Sequence, residues 1–139
     1  PSPVATVSFD SLPGFVAAGL YDPVTGGCVG AAGHLISALI SGFPLGILSH
    51  LIVGAMMFLV MFVFSAFYRK NKVIAAITAV AINGPAALIP FALLYGWPFF
   101  VSMVLPLTIA SAVNVGLAML VLPMLRKVLK TKGHESSAK

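Results

Sequence analysis

Between Val73 and Leu125 the chain carries no charged residue, and the stretch is long enough to cross a bilayer twice. It is bracketed by Arg69, Lys70 and Lys72 on one side and by Arg126, Lys127, Lys130, Lys132 and Lys139 on the other, which together make up all 8 basic residues. The positive-inside tendency puts both groups on the cytoplasmic side, so the stretch reads as a helical hairpin that goes out and returns, turning at Gly96. Upstream, Leu45 to Tyr68 is a strongly apolar run that ends on the basic loop and therefore enters from outside. The break Ser41-Gly42-Phe43-Pro44 is then external. Gly26 to Ile40 is a shorter segment rich in Gly and Ala, rising from a cytoplasmic turn at Tyr21 to Gly27. Leu12 to Leu20 descends to that turn, but as a helix it reaches only about 14 Å, roughly half the hydrocarbon core, which predicts a partial or tilted span. Pro1 to Asp10, with two prolines and a Val-Ala-Thr-Val-Ser-Phe alternation, reads as an external extended or capping segment.

Composition agrees. The chain is 60% hydrophobic and 8% charged with a mean hydropathy of +1.09, against about 25% charged residues in a soluble domain. One integral membrane domain over residues 1–130, followed by a polar cytoplasmic tail over 131–139, is the expected organisation. The net charge of +5 does not point to nucleic acid, because the basic residues stand at helix ends without interleaved aromatics, as juxtamembrane anchors do. Cys28 is the single cysteine, so neither a disulfide nor a zinc site can be built from it alone. A start outside the cell, with Pro rather than Met and no signal peptide, points either to a preceding helix absent from this sequence or to a processed N-terminus.

The acidic residues Asp10, Asp22 and Glu135 all lie away from the middle of the predicted spans, where ion-coupled carriers place ionisable groups. No Walker motif, Ser/His/Asp set, His-Glu-x-x-His or carboxylate pair is present, so neither an enzyme nor a self-energised pump is expected. The midplane offers amides instead. Asn114 precedes Arg126 by 12 residues and Asn83 follows Val73 by 10. At helical rise these positions stand about 18 Å and about 15 Å above the basic end, at one level on adjacent antiparallel helices. An amide donates and accepts, which suits a neutral heterocycle or polyol; the alternative role is hydrogen bonding to a neighbouring helix. Asn83-Gly84-Pro85 and Pro90 interrupt their helix beside this level. Phe9, Asp10, His50, Tyr95 and Trp97 form an external rim of ligand candidates. Tyr95 and Trp97 could equally be belt aromatics, His50 a hydrated residue, and Asp10 a cap on the Leu12 helix. His34 reads as a cross-helix hydrogen-bonding residue. Gly26-x-x-x-Gly30, Gly27-x-x-x-Ala31, Ala75-x-x-x-Ala79 and Ala112-x-x-x-Gly116 allow close helix approach, with the 26–31 face the better candidate for a partner.

The run from Val7 to Pro23, followed by Gly26-Gly27-Cys28-Val29-Gly30-Ala31-Ala32-Gly33-His34, resembles the second and third helices of the substrate-binding S components of energy-coupling factor (ECF) vitamin transporters. Asn114, Gly116-Leu117-Ala118 and Leu122-Pro123-Met124-Leu125-Arg126 are similar to the last helix of that family. The resemblance implies a multi-pass cell-membrane protein, a six-helix bundle when complete, represented here by about five transmembrane or partial helices. It also implies capture of a micronutrient outside, energised by a transmembrane coupling subunit and a pair of ATPases, with no cofactor of its own. The family's first helix, which carries small residues used in docking to the coupling subunit, has no counterpart in this sequence. Amides plus aromatics, without a buried basic residue, favour a flat, mostly neutral heterocycle such as a vitamin or vitamin precursor. The alternative is a non-transport membrane scaffold or assembly subunit that packs through its small-residue faces.

Overall fold

The computed structural model describes residues 9–136, with side chains from 10 to 130. Six α-helices follow a short 3-10 turn at Phe9–Ser11: α1 (Leu12–Leu20), α2 (Pro23–Ile40), α3 (Ile47–Tyr68), α4 (Lys72–Asn83), α5 (Ile89–Tyr95) and α6 (Trp97–Ser136). There is no strand among the described residues. Four segments are long and apolar enough to cross a membrane: Pro23–Ile40, Ile47–Tyr68, Lys72–Tyr95 and Trp97–Lys130. Large apolar side chains such as Leu93 (82% exposed) and Ile40 (81%) cover the outside, the surface a lipid-embedded bundle presents. The chain is an all-α, multi-pass membrane protein.

Local chemistry sets the helix boundaries. Asp22 caps α2, its carboxylate accepting from the backbone N–H groups of Val24 and Thr25 at 2.9 and 3.0 Å, and Pro23 takes the first helical position, where no N–H is needed. The helix therefore begins before its glycine-rich run, and the turn expected over Tyr21 to Gly27 shrinks to Tyr21 and Asp22. Asn71 caps α4 in the same way, through Val73 and Ile74. The arm running from the basic loop to Gly96 is broken where the sequence places Gly84-Pro85. A 3-10 turn at Ala86–Leu88 separates α4 from α5, and a Cβ on Gly84 would lie 2.8 Å from the Val80 carbonyl oxygen and 2.7 Å from Thr108 Oγ1 of α6. Gly96, at φ 86°, then turns the chain into α6, which continues through Pro106 and Pro123.

The short α1 is enclosed by α2, α3 and α6. Phe15 is fully buried edge-on against Phe64, with ring centroids 5.1 Å apart, and Met61, Val60 and Leu122 complete this core. Close packing of small residues holds α1 to α2: a Cβ on Gly14 would meet the Gly30 Cα at 2.7 Å, and one on Gly26 would meet the Ala18 Cα at 2.5 Å. On the other side of α2, a Cβ on Gly27 would press into the Phe58 ring at 2.6 Å. The 26–31 face is thus occupied within the protein, correcting the expectation that it is the better partner surface. Ala75 and Ala79 are fully buried as well, whereas Ala112 and Gly116 lie exposed.

At one end of the bundle the basic residues converge on the α1–α2 turn. Arg69 donates to the Tyr21 carbonyl and Arg126 to the Gly19 carbonyl, while the Arg126 guanidinium and the Lys72 ammonium stand 5.1 and 5.9 Å from the Tyr68 ring centroid. Arg69, Lys72 and Arg126 therefore stand with the 21–22 turn at the same end.

Candidate functional site

Towards the other end, where α3 and α6 begin, the bundle forms a partly open cavity of about 110 Å³. Val53, Met56 and Met57 of α3, Leu88 and Phe91 around the α4–α5 break, and Phe99, Met103 and Leu107 of α6 give it a mostly apolar wall. The break at Gly84-Pro85 lies beside this space, with Asn83, Ala87 and Leu88 on either side of it lining the wall. Into this wall the fold sets a few polar groups: Asp10, Ser11, His34 and His50 on one side, Asn83, Ser111 and Asn114 on the other.

The first group is a connected chain. His34 Nδ1 lies 3.0 Å from Asp10 Oδ2, and His34 Nε2 lies 3.2 Å from His50 Nδ1. All three are largely withdrawn from solvent, with side chains 8% exposed at His34 and 9% at Asp10, and His50 at 3%. Phe43 packs its ring edge on His50 at 5.6 Å, reaching it from a positive-φ conformation (φ 50°) in the α2–α3 connection. Such a backbone is costly for a non-glycine residue and persists only where its surroundings hold it. In the second group Asn83 Nδ2 donates to Ser111 Oγ at 3.2 Å, and Asn114 Nδ2 donates to the Ala110 carbonyl at 3.0 Å. The Asn83–Ser111 bond ties α4 to α6 at the level of the cavity, whereas the Asn114 bond stays within α6.

Of the residues the sequence nominates, Asp10, His50, Asn83 and Asn114 come together around this one space. Tyr95 stands beside it. Its hydroxyl donates to the Leu45 carbonyl at 3.2 Å and meets Ser49 Oγ at 2.7 Å, tying α5 to the start of α3. Trp97 lies apart, 67% exposed and packed against Phe100. The side chain of Phe9 falls outside those described. His50 is buried rather than hydrated, and the Asp10 carboxylate pairs with His34; the residue in the N-cap position of α1 is Ser11, which makes no side-chain capping bond. Sequence reasoning missed His34 as a cavity residue, along with Ser11, Ser111, Phe91 and Phe99. Ser111 had a usable signal, since it is three residues before Asn114 and on the same helical face.

The arrangement suits holding a small, largely apolar molecule through a few directed hydrogen bonds. No group of three or more His, Cys, Asp or Glu among the described residues is placed to hold a metal ion. Searches of curated proteins and of solved structures find no match. A family model described as "ECF transporter, substrate-specific component" matches residues 1–126, nearly the whole chain. The protein therefore belongs to the substrate-specific components of ECF transporters, and is a membrane substrate-binding component rather than a catalytic domain.

Proposed function

We propose that the cavity between α3, α4, α5 and α6 is the substrate site, and that its substrate is a vitamin or vitamin precursor containing a flat, mostly neutral heterocycle. The observation that carries this reading is the composition of the wall: thioether, aliphatic and aromatic groups interrupted by two amides, two serine hydroxyls and two imidazoles, with no Lys or Arg. A strongly anionic ligand would meet the Asp10 carboxylate and no counter-charge. Phe91 and Phe99, themselves in tilted contact with ring centroids 6.4 Å apart, offer aromatic surface on which a ring can pack. Uptake is energised by partner subunits, a membrane coupling protein and ATPases, because the chain carries no nucleotide-binding motif. Basic residues at the Tyr21 end support a cytoplasmic placement of that end and of the C-terminus, which turns the cavity towards the outside.

The test is purification in mild detergent followed by mass spectrometry of small molecules released on denaturation. A single heterocyclic compound at near-stoichiometric amount, rebinding to the emptied protein, is expected. A preparation that releases nothing and binds no member of a B-vitamin and nucleobase panel would overturn the heterocycle reading.

A further inference from the structure

The Asp10–His34–His50 chain has an unused end. A carboxylate at Asp10 can only accept, so the hydrogen between Asp10 and His34 belongs to His34 Nδ1. In a neutral imidazole the second nitrogen then carries a lone pair, and His34 Nε2 accepts from His50 Nδ1–H. By the same rule His50 Nε2 is left with a lone pair. These tautomers are assigned from the network, which leads to one answer for the unprotonated chain. His50 Nε2 is buried and has no hydrogen-bond partner, in a residue that lines the cavity. A buried polar atom without a partner is uncommon enough to call for a missing one.

One proton reverses the polarity of the whole chain. With His34 an imidazolium, both its nitrogens donate, His50 Nδ1 becomes the acceptor, and His50 Nε2 carries the hydrogen. A second proton is opposed by the first, since two imidazolium rings with nitrogens 3.2 Å apart repel. Among the described residues no other ionisable group lines the cavity wall. The turn before α1 supplies Asp10 and α2 supplies His34; Asn83 of α4 and Ser111 and Asn114 of α6 are uncharged. Phe43 covers the His50 ring from the α2–α3 connection, and the Tyr95 phenol of α5 is engaged by Ser49 and the Leu45 carbonyl.

We propose that His50 Nε2 is the specificity-determining contact of this cavity. It accepts a hydrogen bond from a ring N–H of a neutral heterocycle, and one proton taken up by the Asp10–His34–His50 chain turns it into a donor that rejects such a ligand. The inference rests on reading the cavity as the substrate site. Met56 and Met57, unbranched and adaptable, are the wall residues that yield to bring a guest's N–H to the buried nitrogen.

Histidine-selective ¹⁵N NMR of the full chain in nanodiscs tests this directly, with His134→Gln simplifying the spectrum and His34→Gln assigning it. At the alkaline end of the histidine range, His50 should show an unprotonated Nε2 and a protonated Nδ1. On acidification the His34–His50 pair should take up a single proton, moving His50 Nε2 to the protonated position. Asp10→Asn should release the tautomer preference, because an amide can donate as well as accept. Pyrazole, a small neutral N–H donor, should perturb His50 Nε2 more than 1-methylpyrazole does, and the difference should vanish once the chain is protonated. A protonated His50 Nε2 at alkaline pH, independent protonation of both rings, an unchanged tautomer in Asp10→Asn, or an equal or absent response to both pyrazoles overturns the proposal. If variants fail to fold, the wild-type tautomer and the pyrazole pair decide it alone. Release of a heterocycle in mass spectrometry stands whether or not these results do, so the two readings fail separately.

Discussion

The contact between Ala18 and Gly26 gives a prediction whose size follows from geometry. A methyl group at position 26 would lie 2.5 Å from the Ala18 Cα and 2.7 Å from the Ala18 backbone nitrogen. Unstrained carbon contacts are about 3.5 to 4.0 Å, so α1 and α2 would have to separate by about 1 Å, and no rotamer change can absorb a clash with backbone. Overpacking of this kind costs about 1–3 kcal/mol. Gly26→Ala also gains about 1 kcal/mol of helix propensity, which hides part of the loss. Gly116→Ala supplies the control, since a Cβ there meets nothing within 4 Å and gains the same propensity. The difference between the two variants isolates the packing cost, and for a chain of this size it corresponds to a few degrees or more in melting temperature. Thermal unfolding in a fixed detergent, read by circular dichroism, measures it. Ala18→Gly combined with Gly26→Ala should recover part of the loss, because it removes one of the crowded atoms. Equal melting temperatures for Gly26→Ala and Gly116→Ala would refute the α1–α2 contact as described.

Replacing either cavity amide, Asn83→Ala or Asn114→Ala, should weaken binding of the released ligand by about 2- to 12-fold, the worth of one neutral hydrogen bond of about 0.5–1.5 kcal/mol; unchanged calorimetric affinity in both would remove the amides from the site. Trp97→Phe should leave that affinity unaltered, and Trp97 emission should be quenched by brominated lipid yet stay constant during ligand titration, as for an interfacial belt residue. Lys70→Cys in a Cys28→Ala background should resist an impermeant thiol reagent in intact cells and react in inverted vesicles; labelling from outside would reverse the orientation and the external cavity with it. Hydrogen bonds from the Thr25 hydroxyl and backbone hold the Asp22 carboxyl below its ordinary value of 3.8. The cap's contribution is therefore complete above that value and is lost as the pH falls through the lowered folded value. Protection factors at Val24 and Thr25, referred to the intrinsic exchange rate at each pH, should fall only in that acidic window, and Asp22→Ala should abolish this change.

The chain of helices was readable because each signal was local. Leu12 and Leu20 bound α1 as expected, and the uncharged run between the basic clusters is a hairpin whose first arm breaks at Gly84-Pro85. The start of α2 was misplaced because its seven-residue approach looked like turn chemistry throughout, although Asp22 followed by Pro23 is itself a start signal. Asn83 and Asn114 could be brought to one level by counting helical rise from a common end. Helical rise says nothing about rotation, however, and that is where reading failed. His34 and His50 are 16 residues apart on different helices, and Asp10 is 24 residues from His34. The crossing of α2 on α3, where Gly27 meets Phe58 and Gly30 meets Met61, brings His34 to His50, and the turn before α1 brings Asp10 to His34. Trp97 illustrates the converse: depth was inferred from the turn at Gly96, while its outward rotation was not available from spacing.

The anchoring of α1 bears on how the protein is made. A helix from Leu12 to Leu20 is too short to be recognised as a spanning segment during synthesis and, once in lipid, leaves carbonyl groups at its end that hydrocarbon cannot satisfy. The guanidinium groups that donate to the Gly19 and Tyr21 carbonyls come from Arg126 and Arg69, and Arg126 follows Gly19 by 107 residues. Final seating of α1 must therefore wait until α6 has left the ribosome. Biogenesis of this bundle ends by closing its earliest described helix, so a ribosome stalled before Arg126 should hold a nascent chain whose α1 remains open to protease.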